Sequence, residues 1–272
     1  MQTLSEIRSI LAERGLRPKR KLGQNFLHDQ NQLRRLLEAA NVGQGDLVLE
    51  VGPGTGTLTE ALLERGSTVV ACELDPDMAS ILEDRLGGRI TLIQADCLEG
   101  TRSLAPELQA ALGEGPFRLV ANLPYGAASP LMSLLATDPR CLGQFVTIQR
   151  EVAERLLAVP GTRAYGPLTI FVQAFAAIRS LGTLSPACFW PSPKVESAMV
   201  AITPREDRPQ IAPDRFGRFV HRIFSGRRKQ LGTILGRDAE LPEGVEPTTR
   251  PDALTVEEIL ALYELHQEDA TT

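Results

Sequence analysis

An α/β fold with a parallel sheet covered on both faces, followed by a small helical domain, is what the residue order predicts. Two features of the sequence point to it. Between residues 47 and 149, short apolar runs alternate with helix-like segments, the pattern of strands joined by crossover helices. After Pro204 the chain turns polar and proline-bearing, and helical periodicity resumes beyond it.

The elements follow in order. Thr3-Leu4-Ser5-Glu6 is a capping box, with Ile7, Ile10 and Leu11 on one helical face and Gly15 as a stop. Leu16–His28 reads as a loop. Asp29 caps a second helix that carries Leu33, Leu36, Leu37 and Ala40 at helical spacing. Strands are expected at Leu47–Val51, Thr68–Glu73, Ile90–Gln94, Phe117–Ala121 and Phe145–Gln149. The helices between them are Thr57–Arg65, Pro76–Leu86, Ser103–Leu112 and Pro130–Ala136. Ile178–Leu184 and Lys194–Ile202 extend the sheet as a final hairpin-like pair. Arg205–Pro213 reads as a linker, Arg215–Leu235 and Thr255–Leu265 as helices, and Leu241–Asp252 is proline-rich. The expected domains are therefore 1–204 and 205–272.

Composition narrows the class. At 272 residues and 43% hydrophobic, the chain suits one large packed domain and one small one. No apolar run approaches a membrane span, and Glu6 and Glu13 do not fit a secretory signal. Cys72, Cys97, Cys141 and Cys188 form no C-x-x-C pair, and His28, His221 and His266 show no ligand spacing. A cytoplasmic protein with reduced thiols and no metal is expected. The net charge of −5 hides two basic clusters. One is Arg14, Arg17, Lys19, Arg20 and Lys21; the other is Arg215, Arg218, Arg222, Arg227, Arg228 and Lys229. Each alone reads as a solvated face, and together they read as a polyanion footprint.

Gly52-Pro53-Gly54-Thr55-Gly56 falls between the first predicted sheet strand and its helix. Without Cβ atoms such a turn tightens and lets a nucleotide-like ligand approach the main chain. Its spacing is neither the G-x-G-x-x-G of dinucleotide binders nor a phosphate loop with Lys-Ser/Thr. Glu73 ends the next strand, where a carboxylate can accept two ribose hydroxyls. Asp96 ends the third, where it could accept the amine of an adenine. Asn122-Leu123-Pro124-Tyr125 ends the fourth. The Asn122 side-chain oxygen and the Leu123 or Pro124 carbonyl offer two acceptors to an adenine amino group. They would favour a pyramidal nitrogen whose lone pair can face an electrophile. Pro124 stiffens the turn, and Tyr125 offers a stacking face to an extruded base. The combination points to methyl transfer from S-adenosylmethionine to an adenine amino nitrogen by positioning and electrostatics.

These motifs resemble the ribosomal RNA adenine N6-dimethyltransferases over nearly the whole length, most closely the bacterial small-subunit (16S) branch. Lys21-Leu22-Gly23-Gln24-Asn25-Phe26-Leu27, Val51-Gly52-Pro53-Gly54, Glu73-Leu74-Asp75 and Asn122–Tyr125 carry the resemblance. So do Ala164-Tyr165-Gly166 and Phe189-x-Pro191-x-Pro193-Lys194-Val195-Glu196-Ser197. The resemblance implies a Rossmann-like class I S-adenosylmethionine-dependent methyltransferase sheet with a small helical C-terminal domain. It implies that Asn25, Leu27, Gly52, Glu73, Asp96 and Asn122 line the cofactor site, with Gly54 of the turn beside them. Phe189 would stack on the target adenine opposite Tyr125, or else pack in the core. Arg20, Lys21, Arg222, Arg227, Arg228 and Lys229 are the candidate RNA contacts. The implied partner is 16S rRNA in the immature small subunit, dimethylated at two adjacent adenosines of its 3′-terminal hairpin by a monomer.

The chain departs from the family pattern at Gly126-Ala127-Ala128-Ser129, expected to alter a loop, and at Gly226 and Gly232 in the basic segment. One rival is the large-subunit (23S) adenine methyltransferase class, which usually carries Ile in place of Leu123. Another is a non-catalytic RNA-binding assembly or transcription factor on the same scaffold, against which intact Glu73, Asp96 and Asn122 argue. A third, an NAD-dependent oxidoreductase, is disfavoured by the glycine spacing.

Overall fold

The computed structural model describes residues 1–100 and 103–266. It divides into two compact units, Met1–Ala153 with Arg179–Thr203, and Glu154–Ile178 with Pro204–Thr272. This partition differs from a single boundary at 204, because residues 154–178 join the second unit.

In the first unit, α1 (Leu4–Glu13) is capped by Thr3 and Glu6 as the sequence predicts. β1 (Phe26–Leu27) and α2 (Gln30–Ala40) follow. Then come β2 (Leu47–Val51), α3 (Thr57–Glu64), β3 (Thr68–Glu73), α4 (Pro76–Leu86) and β4 (Thr91–Gln94). A small ribbon of β5 (Leu98–Glu99) and β6 (Ser103–Leu104) precedes α5 (Pro106–Leu112). β7 (Phe117–Asn122), α6 (Tyr125–Thr137), β8 (Cys141–Gln149) and α7 (Arg150–Leu156) complete the alternation. After α8 (Pro167–Phe175) the chain returns through β9 (Ala176–Leu184), β10 (Phe189–Trp190) and β11 (Ser197–Pro204).

The main sheet has seven strands in the order β4-β3-β2-β7-β8-β11-β9. β2 pairs in parallel with both β3 and β7, and β11 pairs antiparallel with β8. Val48, Leu49, Val70, Ala71, Leu119 and Val120 are fully or almost fully buried, as strands covered on both faces require. The strand order reverses between β2 and β7, so their carboxyl ends open a crevice. One large core cluster unites Leu33, Leu36 and Leu37 of α2 with Val48, Leu62, Val120, Phe145 and Met199.

Several boundaries differ from expectation, each for a local reason. The helix expected from residue 103 starts at Pro106, whose fixed φ suits a first turn and whose missing N–H costs nothing there. The helix expected at 130–136 already begins at Tyr125 and carries Pro130 inside it. Gly126-Ala127-Ala128-Ser129 are therefore helical, and the loop expected there does not exist. Residues 16–28 contain a 3-10 turn (Arg20–Leu22) and β1, which pairs with β10 through Phe26↔Trp190 and Leu27↔Phe189. The long helix expected at 215–235 is two, α9 (Pro213–Ser225) and α10 (Leu231–Ile234), parted after Gly226.

The second unit is held by aromatic side chains. Phe171 and Phe175 of α8 pack against Phe216 of α9, which meets Tyr263 of α11 (Val256–Leu265) edge-on at 5.4 Å between centroids. This packing recruits α8 away from the sheet unit. Tyr165 of the Ala164-Tyr165-Gly166 motif is fully buried, and its hydroxyl donates to the Leu254 carbonyl at 2.8 Å. Tyr165→Phe strands that carbonyl, and the variant is expected to lose about 1–2 kcal/mol in denaturant unfolding.

Candidate active site

A cavity of about 670 Å³ opens where the carboxyl ends of β2, β3, β4 and β7 meet, within the usual range for small-molecule sites. The 3-10 turn and β1 supply its wall, so Arg20, Lys21, Asn25 and Leu27 line it together with Gly52, Gly54, Glu73, Asp96 and Asn122–Tyr125.

The glycine turn is shaped by its protein neighbours. Gly52 and Gly54 have φ of +71° and +60°, which side-chain-bearing residues rarely adopt. A Cβ on Gly52 would lie 2.8 Å from Pro124 Cγ, and one on Gly54 would lie 2.8 Å from Phe26 Cε1. The room expected for a ligand behind these two atoms is thus filled by the chain itself. The Gly54 N–H donates to Glu73 Oε2 at 3.1 Å, while the Asp75 N–H donates to Oε1 at 2.9 Å. Glu73 is thereby aimed from two sides. Burial raises its pKa above the ordinary value, partly offset by those backbone donors.

At the end of β7 the Asn122 Nδ2 donates to the Asn25 carbonyl at 3.0 Å. This fixes the amide, and its Oδ1 has no hydrogen-bond partner among the described residues. The Leu123 N–H donates to the Thr147 carbonyl at 3.1 Å, tying the turn to β8. The Pro124 carbonyl is taken by the Ala127 N–H at 3.1 Å. Of the two carbonyls the sequence leaves open, that of Leu123 is the one without a partner among the described residues. Tyr125 shares a 3.0 Å hydrogen bond between its hydroxyl and Ser197 Oγ. At the rim, Asp96 Oδ1 accepts from the Leu98 N–H at 3.1 Å.

The site's polar and apolar parts suit S-adenosylmethionine: the buried Glu73 carboxylate is fit to accept a ribose diol, and Leu27, Leu58 and Leu98 add apolar lining. Comparison with known proteins bears on the same point. The family profile for ribosomal RNA adenine dimethylase matches residues 15–268. The chain belongs to that family. It is 39% identical over 279 residues to ribosomal RNA small subunit methyltransferase A of Mycobacterium bovis, covering 95% of this chain and 86% of that protein. A dimethyladenosine transferase from Plasmodium falciparum is similar in structure, with a TM-score of 0.72 at 25% identity over 89% of this chain and 98% of that one. The 23S rRNA methyltransferase ErmE gives 0.66 at 26% identity over 89% and 99%. This adenine dimethylase is accordingly an S-adenosylmethionine-dependent enzyme with a class I methyltransferase sheet.

Two assignments made for the dimethylase from sequence need correction. Phe189 is only 2% exposed, does not line the cavity and belongs to the core cluster with Leu27 and Leu36. Its pairing in β10 with Leu27 turns it inward, so it is a core side chain with no free face for a base. Arg227 is a staple. Its Nε meets Asp252 at 3.2 Å, and its two terminal nitrogens donate to the Arg163 and Thr162 carbonyls at 3.0 and 2.8 Å. By contrast Arg20, Lys21, Arg222, Arg228 and Lys229 are exposed, with Arg222 lying over the Phe219 ring.

Three side chains around the turn make contacts that the sequence does not signal, although Lys19 belongs to the first basic cluster and Gln24 to the Lys21–Leu27 motif. Gln2, 3% exposed, donates to the Thr55 carbonyl at 2.8 Å and accepts from the Thr55 and Thr57 hydroxyls at 2.7 and 3.1 Å. Gln24 and Lys19 both reach the fully buried Asp75, each at 2.6 Å, and hold the 3-10 turn against the cavity rim. All three contacts span more than fifty residues, beyond the reach of local spacing.

Glu50 lies at 2% exposure beneath the glycine turn and accepts from the Thr59 hydroxyl at 2.7 Å. Burial pushes its pKa up to about 8, opposed by Thr59 and helped by Glu73. The folded state then keeps a proton that the unfolded chain releases near 4.5. Stability should fall as pH rises through this window. Glu50→Gln cannot ionise, so its stability relative to the parent is expected to rise by on the order of a few kcal/mol between pH 5 and 8. Denaturant midpoints at several pH values check this; a gap that stays constant with pH refutes it.

Proposed function

We propose that this enzyme methylates the N6 amino groups of two adjacent adenosines in the 3′-terminal hairpin of 16S rRNA, during assembly of the small ribosomal subunit. The small-subunit relative at 39% identity supports that target over the large-subunit one, and so does Leu123. The observation that carries the chemistry is the anchored Asn122 amide, whose Oδ1, like the carbonyl of the adjoining Leu123, has no hydrogen-bond partner among the described residues.

Bound S-adenosylmethionine supplies an electrophilic methyl group on a sulfonium. Glu73 is suited to accept the ribose hydroxyls and Asp96 the adenine amine, with Asn25, Leu27, Gly52 and Gly54 as walls. Asn122 Oδ1 and the Leu123 carbonyl each accept one N–H of the target amino group. Its lone pair is thereby drawn out of conjugation and turned toward the methyl carbon. N6 would take the methyl from the cofactor's sulfonium and release one proton to water, while Asn122 Oδ1 and the Leu123 carbonyl hold it in line. Tyr125 supplies the stacking face for the base. Arg20, Lys21, Arg222, Arg228 and Lys229 are proposed as phosphate contacts, and the enzyme as a cytoplasmic monomer. Among the described residues no helix is long and apolar enough to cross a membrane.

Methyl transfer from labelled cofactor to unmodified small subunits and, in parallel, to large-subunit RNA tests the target. Dimethyladenosine in the small-subunit hairpin is expected. Label confined to large-subunit RNA would move the enzyme to the 23S class, and no label with intact cofactor binding would favour an assembly factor. As an acidic protein of net charge −5 with only local basic patches, the enzyme should depend on shaped RNA and act faster on the assembled subunit than on the isolated hairpin. Equal rates would refute this. Asn122→Ala is expected to lower turnover by roughly 100-fold or more while cofactor affinity changes little. Near-normal turnover would remove Asn122 from the base-gripping role.

A further inference from the structure

We propose that Ser197 is a positioning residue: by holding the Tyr125 hydroxyl it sets the tilt of the stacking ring, and the second methyl transfer depends on that tilt. The inference rests on the stacking role of Tyr125 proposed above. Ser197 is fully buried and its Oγ lies 3.0 Å from the Tyr125 hydroxyl. It is the first residue of β11, paired with Gln149 at the end of β8. The adjoining Glu196 carbonyl accepts from the Arg150 N–H at 3.0 Å, so the backbone on both sides of the hydroxyl is held. β7, which ends in Asn122, is the other neighbour of β8. The ring that stacks the base and the amide that grips it are thus both referred to one rigid strand. Tyr125 is half-buried at the first position of α6. Its hydroxyl is the only polar handle by which its ring can be tethered.

The consequence comes from counting hydrogens. In the first transfer N6 carries two N–H groups, one for Asn122 Oδ1 and one for the Leu123 carbonyl. The monomethylated nitrogen has one N–H left, so one of these two grips is lost. Orientation of the base for the second transfer then leans on the stack, and a small misplacement of reacting atoms is costly. A loosened ring should slow the second step more than the first.

Four variants test this on unmodified small subunits at saturating cofactor: Ser197→Ala, Tyr125→Phe, the double variant and Ser197→Thr. The ratio of N6-monomethyl to N6,N6-dimethyladenosine is read by digestion and mass. Ser197→Ala and Tyr125→Phe should each raise it by roughly three- to tenfold, the loss of one hydrogen bond. The double variant should be no worse than either, Ser197→Thr should restore the parent ratio, and cofactor affinity should not change. A parent-like ratio in both single variants overturns the proposal. So does a fall in both transfers together with thermal stability, the mark of a purely structural serine. Tyr125→Ala separates the two levels. If it too turns over normally, the stacking reading itself fails; if it is impaired while Tyr125→Phe and Ser197→Ala are normal, only the role of Ser197 fails.

Discussion

The contact between Gly52 and Pro124 is the constraint on which the rest of the site depends. Pro124 Cγ occupies the place a Cβ on Gly52 would need, so the cofactor turn and the base-gripping turn sit against each other with nothing between them. A site that moves a methyl group from one ligand to another must hold both within bonding reach. Here the distance is set by van der Waals contact between two strand ends that are neighbours in the sheet. Phe26 makes the same kind of contact with Gly54 from the other side. The turn is wedged between them, and its left-handed residues are in conformations that only glycine holds without strain.

Around that wedge the protein has placed carboxylates where water is scarce. Glu73 and Glu50 are both buried beneath the turn, and burial raises the pKa of each. Glu73 is kept serviceable by two backbone N–H donors, whereas Glu50 has a single hydroxyl. Burial acts on both in the same direction, and the backbone donors set Glu73 apart by aiming its two oxygens. The same economy of position governs the basic clusters. Arg14 is bound to Asp84, Lys19 to Asp75 and Asp77, and Arg227 to Asp252. Each cluster therefore divides into cations that hold the chain together and exposed ones still able to meet phosphate.

Much of this protein was legible in its residues alone. The alternation of apolar runs and crossover helices is a local property, and the parallel strands, the capped α1 and the turn at Gly52–Gly56 follow from it. The convergence of Glu73, Asp96 and Asn122 was legible too, because strand ends on one edge of a parallel sheet must meet. Local spacing could not reach the contacts made across the fold. Gln2, Gln24 and Ser197 touch their partners across 51 to 72 positions, and no periodicity encodes such pairs. Phe189 looked equally suited to a base or to the core, and only its pairing with Leu27 turned it inward. Residues 154–178 went to the second unit because aromatic side chains far along the chain, Phe216 and Tyr263, provided the surface that α8 buries. Sequence thus decides what each segment prefers by itself, while burial and long-range hydrogen bonds decide which of its charges, rings and hydroxyls remain free to act.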